Sequence, residues 1–363
     1  MKILGVESSC DETAVAIVNE NKEILSSIVV SQIDIHKEFG GVIPEIASRN
    51  HLDVIEKIIL KAVKDANLNF EDLDAIAATC GPGLMGGLIV GAITAQTLAS
   101  VFNKPFVPVN HLEGHILTSR LTNDLEFPFL IFLISGGHSQ ILLAKAVGDY
   151  EKIGDTIDDS LGECFDKVAQ MLGLEYPGGP KIEKLAEYGD ENRFKFVKPL
   201  IDAVGKGRSK ENDLNFSFSG LKTAVRREIE KITGEDYNYE LSHTKLDEQT
   251  IKDISASFQK TIVDIMKDRF VNTIKYLNEK NISLNKLIFA GGVSANQYIK
   301  NHMIDLCRKY GYEIITPPLK LCTDNGVMVA WAGLEKFRLG LYEKSDVLSI
   351  RSRWELDEMV AKE

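Results

Sequence analysis

Apolar residues along this chain come in short runs separated by polar turns. Residues 2–6 and 14–18 are two β-rich runs joined by the polar stretch Glu7-Ser8-Ser9-Cys10-Asp11-Glu12-Thr13. A third run, 23–31, completes a predicted meander. After residues 42–51, Leu52, Ile55, Ile58, Ile59 and Val63 recur at helical spacing and predict one apolar helix face. Residues 75–79 form a short strand that feeds the glycine-rich stretch 81–87, and a buried helix is expected from there to residue 102. Residues 106–109 are another strand. The pattern then starts afresh: 128–134, the tip Ser135-Gly136-Gly137-His138-Ser139 and 140–144 repeat the strand–polar turn–strand opening.

The rest of the chain alternates in the same way. A helix is predicted from 162 to about 174, then an irregular loop at 176–180. Another helix is entered through 216–223, and a long amphipathic one covers 251–275. The strand 287–290 runs into Gly291-Gly292 and a helix, and 314–315 is a last strand. Strands alternating with helices predict an α/β fold, and two hairpin openings predict two related lobes. Lobe I is assigned to 1–125 with 320–345 packing back on it, lobe II to 126–319 and a C-terminal tail to 346–363, with 119–127 as the link. Segments 203–215 and 233–246 read as flexible excursions.

Composition narrows the function classes. A net charge of −11 argues against autonomous, tight nucleic-acid binding through a basic surface. Only scattered basic groups stand out: Lys206, Arg208, Lys210, Lys222, Arg226, Arg227, Arg351 and Arg353. Five cysteines without a C-x-x-C read as buried thiols in a reducing compartment. The N-terminus opens as a strand rather than a leader, and glycines and polar residues interrupt the apolar run 85–102. A cytoplasmic protein without a membrane span is expected.

The sharpest chemical signal is Asn110-His111-Leu112-Glu113-Gly114-His115. Histidines four apart share one helix face, so two imidazole nitrogens can converge on one metal ion; two unrelated surface histidines are the alternative. Asp324, in Thr323-Asp324-Asn325-Gly326, is the candidate third ligand, although an Asp there also suits a helix N-cap. A zinc protease would read H-E-x-x-H. Here Leu112 takes the place of the glutamate and Glu113 is turned roughly 100° away, which disfavours that reading. Arg49 and His51 are candidates for either ligand contact or a structural role. The glycines at 81–87 and 291–292, each between a strand and a helix, allow close backbone approach to an anion or nucleotide and equally suit generic packing.

Seven ordered motifs carry a resemblance: 5–13 (GVESSCDET), 81–84 (GPGL), 110–115 (NHLEGH), 135–138 (SGGH), 216–222 (FSFSGLK), 290–296 (AGGVSAN) and 323–326 (TDNG). Together they resemble the bacterial form of the TsaD family of tRNA N6-adenosine threonylcarbamoyltransferases. The resemblance implies an actin-like/Hsp70-like/sugar-kinase (ASKHA) architecture, with two duplicated ribonuclease-H-like lobes around a cleft. It implies that His111, His115 and Asp324 hold one divalent metal, iron or else zinc. It places Ile134, Ser135, Gly136, Gly137, His138, Asp166, Gly179, Glu183 and Asn296 around threonylcarbamoyl-AMP. The acceptor is then N6 of adenosine 37 in an ANN-decoding tRNA, with AMP as leaving group. Asp11 or Glu12 is our candidate to accept or position the N6 proton. The implied partners are a TsaB-like paralogue, a TsaE-like ATPase and a TsaC-type enzyme that makes the adenylate. The competing reading is an actin-like ATPase acting as a regulatory or chaperone-type module. The histidine pair separates the two, because phosphoryl transfer in that architecture uses Mg²⁺ with oxygen ligands.

Overall fold

In the first strand, β1 (Lys2–Glu7), Ile3 turns to one face of a sheet while Leu4 and Val6 turn to the other, and both faces are covered. That is why the strand reads as a continuous apolar run rather than an alternating one. The computed structural model describes residues 1–36, 39, 41–202, 212–236, 246–342 and 349–359. Most of both predicted excursions, 203–211 and 237–245, lies outside the described residues, and so do Lys206, Arg208 and Lys210.

The chain divides into two units, Met1–Phe127 with Ala144–Glu151 and Pro317–Glu363, and Pro128–Leu143 with Lys152–Thr316. In the first, β1 is followed by β2 (Glu12–Asn19), β3 (Ile24–Ser31), a short helix α1 (Ile33–His36), α2 (Pro44–Asp65), β4 (Ala75–Gly81), α3 (Met85–Val101), β5 (Phe106–Asn110) and α4 (His111–Thr122). Its sheet runs β3-β2-β1-β4-β5; β1, β4 and β5 are parallel, and β2 and β3 antiparallel to their neighbours.

The second sheet and its helices comprise β6 (Phe129–Ile134), β7 (Ser139–Ala146), β8 (Asp149–Gly154), α5 (Leu161–Met171), α6 (Gly178–Ala186), α7 (Ser219–Thr233), α8 (Glu248–Glu279), β9 (Lys286–Ala290), α9 (Gln297–Lys309) and β10 (Glu313–Ile315), the β7–β8 turn at Ala144–Glu151 being counted in the first unit. Its sheet order, β8-β7-β6-β9-β10, repeats that of the first. The second hairpin opening seen in the sequence is therefore the start of a second copy of one topology. The chain returns to the first unit for α10 (Gly326–Arg338) and a later short 3-10 turn, Leu356–Glu358.

Helices α4 and α10 cover the Ile3 face of the first sheet and α2 and α3 the Leu4 face. Helix α10 lies unusually close: a Cβ on Gly5 would stand 2.2 Å from the Ala330 nitrogen, and one on Gly326 2.5 Å from the Ala16 nitrogen. This approach carries Asp324, just before α10, to the edge of the sheet.

Several expectations need correction. Helix α2 begins at Pro44, where a first-turn proline gives up no intrahelical hydrogen bond. Leu52 is 66% exposed, and His51 takes the buried place at that level. Helix α3 is not buried all round: Leu88, Ala92, Ala95 and Ala99 face the sheet while Met85, Ile89, Ile93 and Val101 are exposed. The stretch expected to be an irregular loop at 176–180 opens α6 instead. Pro180 sits in its first turn, where proline is tolerated, and Asp166 Oδ1 accepts the Gly178 N–H at 2.8 Å. Helix α4 extends to Thr122, which shortens the expected link, and β8 went unpredicted.

Gly5→Ala should cost about 1–3 kcal/mol or more, because helix α10 must back away from the sheet. Urea unfolding would measure it, and a loss below about 0.5 kcal/mol would show that this close approach is dispensable.

Candidate metal centre and substrate-binding turns

Strands β1, β4 and β5 run parallel, so their C-terminal ends share one edge of the sheet, the usual site-bearing edge of such sheets. That edge carries Glu7, Thr79 and Asn110. The Asn110 side chain caps α4 by accepting the Leu112 and Glu113 N–H groups, and the first helical residue is His111. His115 follows one turn later. The rings of His111 and His115 stand 4.8 Å apart and nearly perpendicular.

At Asp324 the helix cap is taken by its neighbour. Asn325 is the N-cap of α10, its Oδ1 accepting the Met328 N–H at 2.9 Å. Asp324 is left free to reach the histidines: its Oδ1 lies 3.0 Å from His115 Nε2 and 3.5 Å from His111 Nε2. One ligand atom from each of the three residues falls within 4.8 Å of the others. Ligands bound at usual metal–nitrogen and metal–oxygen distances stand about 3 to 3.5 Å apart. Two nitrogens and one carboxylate at these separations fit a single metal ion.

The electrostatics match. Burial alone would raise the Asp324 pKa, but His111 and His115 hold it down at about 2. Burial alone would lower that of His111, yet Asp324 and Glu7 lift it to about 9. Glu7 lies on the other side of this ring. It is fully buried, its Oε2 3.3 Å from His111 Nδ1, and His111 keeps its carboxyl below the ordinary range against the effect of burial. Ser9 Oγ also lies 3.0 Å from that Nδ1. Sequence reasoning missed Glu7. The available signal was a carboxylate closing an otherwise apolar strand.

The acidic tip packs next to this group. Asp11 is buried, and burial, Asp324 and Asp11 together push the Glu12 carboxyl up to about 9. His51 is a strut under the tip: its Nε2 donates to the Cys10 carbonyl at 2.9 Å and its Nδ1 meets the Thr13 hydroxyl at 2.8 Å. The 81–87 glycines serve the tip as well. Leu84 N–H donates to the Ser9 carbonyl at 2.7 Å, and a Cβ on Gly83 would meet Ser9 at 2.7 Å. Glu113 is buried away from the triad, accepting the Gly148 N–H at 2.8 Å and the Tyr150 hydroxyl at 3.1 Å. It is not placed as a protease base.

In the second unit the 135–138 turn is closed by Ser135 N–H to the His138 carbonyl at 2.7 Å. The start of α5 packs under it, with Gly162 N–H donating to the Ser135 carbonyl at 3.2 Å. Gly291, at φ +91°, passes so close to Ile134 that a Cβ would stand 2.4 Å from its carbonyl oxygen. Asp166 on α5 caps α6, which carries Gly179 and Glu183. Glu183 Oε1 accepts the Gln297 N–H at 2.6 Å, beside Asn296. Asn296 is itself occupied: its Oδ1 caps α9 and its Nδ2 donates to Gln259 at 2.6 Å. The residues expected around the adenylate thus form one connected chain of contacts, and those expected at the metal form another. Of the scattered basic groups, Lys222 pairs with Asp159 and Arg226 lies 3.5 Å from Glu230. Among the described residues no helix is long and apolar enough to cross a membrane.

Comparison with known proteins agrees with this geometry. Residues 23–331 match the TsaD family, described as tRNA N6-adenosine threonylcarbamoyltransferase. A protein of that name from Rhizobium etli is 48% identical over 98% of this chain and 94% of its own length, and one from Brucella suis 47% over 99% and 97%. Among solved structures, HypF of T. kodakarensis superposes with a TM-score of 0.60 at 14% identity, covering 96% of this chain and 49% of that one. A full-length HypF in phosphate- and nucleotide-bound form gives 0.57 at 16%, covering 93% and 46%. This chain therefore spans about half the length of the HypF chains, and at such identities the likeness shows the fold alone, the ASKHA architecture. With matches to its named relatives along nearly its whole length, the chain is a transferase and belongs to the TsaD family of tRNA N6-adenosine threonylcarbamoyltransferases.

Proposed function

We propose that this chain moves the threonylcarbamoyl group of threonylcarbamoyl-AMP onto N6 of adenosine 37 in tRNAs that read ANN codons. The observation that carries the reading is the convergence of His111, His115 and Asp324 in a chain of this family. The N6 nitrogen attacks the carbamoyl carbon, the bond from that carbon to the phosphate oxygen breaks, and AMP leaves with its electron pair. His111, His115 and Asp324 would hold a metal whose positive charge would steady the charge developing on the leaving AMP. Two imidazoles and one carboxylate are the donor set of open-sided iron(II) sites and also suit zinc, so we assign iron, with zinc as the alternative. The ATPase reading has no comparable support, since its magnesium would call for oxygen ligands.

In the second unit, Ile134 to His138, Asp166, Gly179, Glu183 and Asn296 seat the adenylate. The glycines support this. A Cβ on Gly136, Gly137, Gly179 or Gly292 would meet nothing within 4 Å, so the backbone there is open to close approach by a ligand. In the first unit, Asp11 accepts the N6 proton. Glu12, raised to about 9, stands neutral at pH 7 and serves as a hydrogen-bond donor.

The acidic chain works with partners, a TsaB-like paralogue and a TsaE-like ATPase, on adenylate from a TsaC-type enzyme. An apolar stripe supports a helical partner surface: Met85, Ile89 and Ile93 recur every four residues on α3, and Leu52 and Leu60 of the adjoining α2 are exposed too. Five free thiols support a cytoplasmic setting.

A single-turnover assay with threonylcarbamoyl-AMP, unmodified ANN-decoding tRNA and the two partners should give the modified nucleoside and lose it on chelation. Product formation indifferent to chelator would remove the metal from the reaction. Each of His111→Ala, His115→Ala and Asp324→Ala should purify with metal content near zero against one ion per chain in the parent, read by elemental analysis. Asp11→Asn should slow the single-turnover rate by about 10²–10⁴-fold, the usual contribution of a general base, with adenylate affinity little changed. An unaltered rate would strip Asp11 of that role.

A further inference from the structure

We propose that Glu7 is the positioning residue of the metal centre, its buried carboxylate accepting the Nδ1 proton of His111 and so turning the Nε2 lone pair toward Asp324 and His115. The inference rests on the metal reading of the triad. An ionised carboxylate only accepts hydrogen bonds, and a neutral imidazole has one proton to give. With Glu7 Oε2 3.3 Å from Nδ1, the proton belongs on Nδ1 and the free pair on Nε2, the nitrogen 3.5 Å from Asp324 Oδ1. The opposite tautomer would aim a lone pair at a carboxylate and an N–H at the metal position.

Glu7 is itself held rigidly. Its Oε1 accepts the Ser9 N–H at 2.6 Å and its Oε2 the Thr79 hydroxyl at 2.5 Å, so both oxygens are fixed by neighbouring elements. A carboxylate fully out of water at the end of an apolar strand is costly unless it is paired, and His111 is its cationic or N–H-donating partner. Carboxylate–histidine–metal relays of this kind fix ring orientation and raise ligand basicity. The Ser9 hydroxyl, 3.0 Å from the same nitrogen, is the competing acceptor, and the test must separate the two.

Glu7→Gln keeps the size of the side chain but turns an amide N–H₂ toward Nδ1. Zinc affinity, measured by competition with a chromophoric chelator, should fall about 10- to 100-fold. In the zinc-loaded protein the imidazole ¹⁵N–¹H correlation of His111 should lose its downfield Nδ1–H signal. Glu7→Asp, which keeps the charge and withdraws it by one methylene, should fall in between and stands in should the glutamine variant not fold. Ser9→Ala should change affinity by less than about threefold. Unchanged zinc affinity and an intact Nδ1–H signal in Glu7→Gln would overturn the inference, as would a larger loss in Ser9→Ala than in Glu7→Gln. Zinc binding that survives His115→Ala would instead overturn the metal reading, and this inference with it.

Discussion

A carboxylate buried at the end of an apolar strand has to be answered by donors or by positive charge, and in this chain the answer organises one whole edge of a sheet. Glu7 draws in the Ser9 backbone, the Thr79 hydroxyl and the His111 ring, which belong to the acidic tip, β4 and α4. On the far side of the same ring stands Asp324. Negative, positive and negative groups alternate in a line with little water to screen them, so each stabilises the charged form of the next. On the metal reading, an ion held by His111, His115 and Asp324 would take the place of the Nε2 proton of His111, while the Glu7 side would stay as it is.

That arrangement depends on backbone packing far from the chemistry. Asp324 reaches the histidines because α10 lies against β1 and β2 with no side chains between them at Gly5 and Gly326. Asn325 takes over the capping of the helix, which frees its neighbour. Two adjacent polar residues at a helix start divide two tasks, and a one-residue exchange of identity would assign them wrongly.

Much of this was legible in advance. Strand runs, the second hairpin opening and the histidine spacing are local signals, and local periodicity reports them well; the shared sheet order of the two units confirms the repeat. What periodicity cannot report is cover. Leu52 shares a helix face with Ile59 and Val63, and Ile89 and Ile93 are as apolar as any core residue, yet Leu52, Ile89 and Ile93 lie exposed because nothing among the described residues covers them. Glycines and prolines misled at 176–180, where they start a helix capped by Asp166, a residue distant enough in sequence to hide the pairing. Glu7 was missed for a related reason: a carboxylate closing an apolar strand is a faint signal, its partners come from positions 9, 79 and 111, and only the fold brings them together.

The repeated topology shows how one framework carries two kinds of chemistry. In the first copy the turn after the opening strand holds serines, a cysteine and two acids, braced by His51 and by the glycine loop that follows β4. In the second copy the equivalent turn, 135–138, has two glycines between Ser135 and His138, and Gly291 and Gly292 follow β9 where that loop follows β4. Side-chain carboxylates and imidazoles suit cations and protons; exposed backbone N–H groups suit anions and flat rings. Both turns follow the opening strand of the same sheet order, so the difference between them comes from residue identity and not from architecture. On the proposed reading of that turn as an adenylate seat, acids placed at Gly136 or Gly137, where a Cβ would meet nothing within 4 Å, would repel the phosphate without crowding the turn.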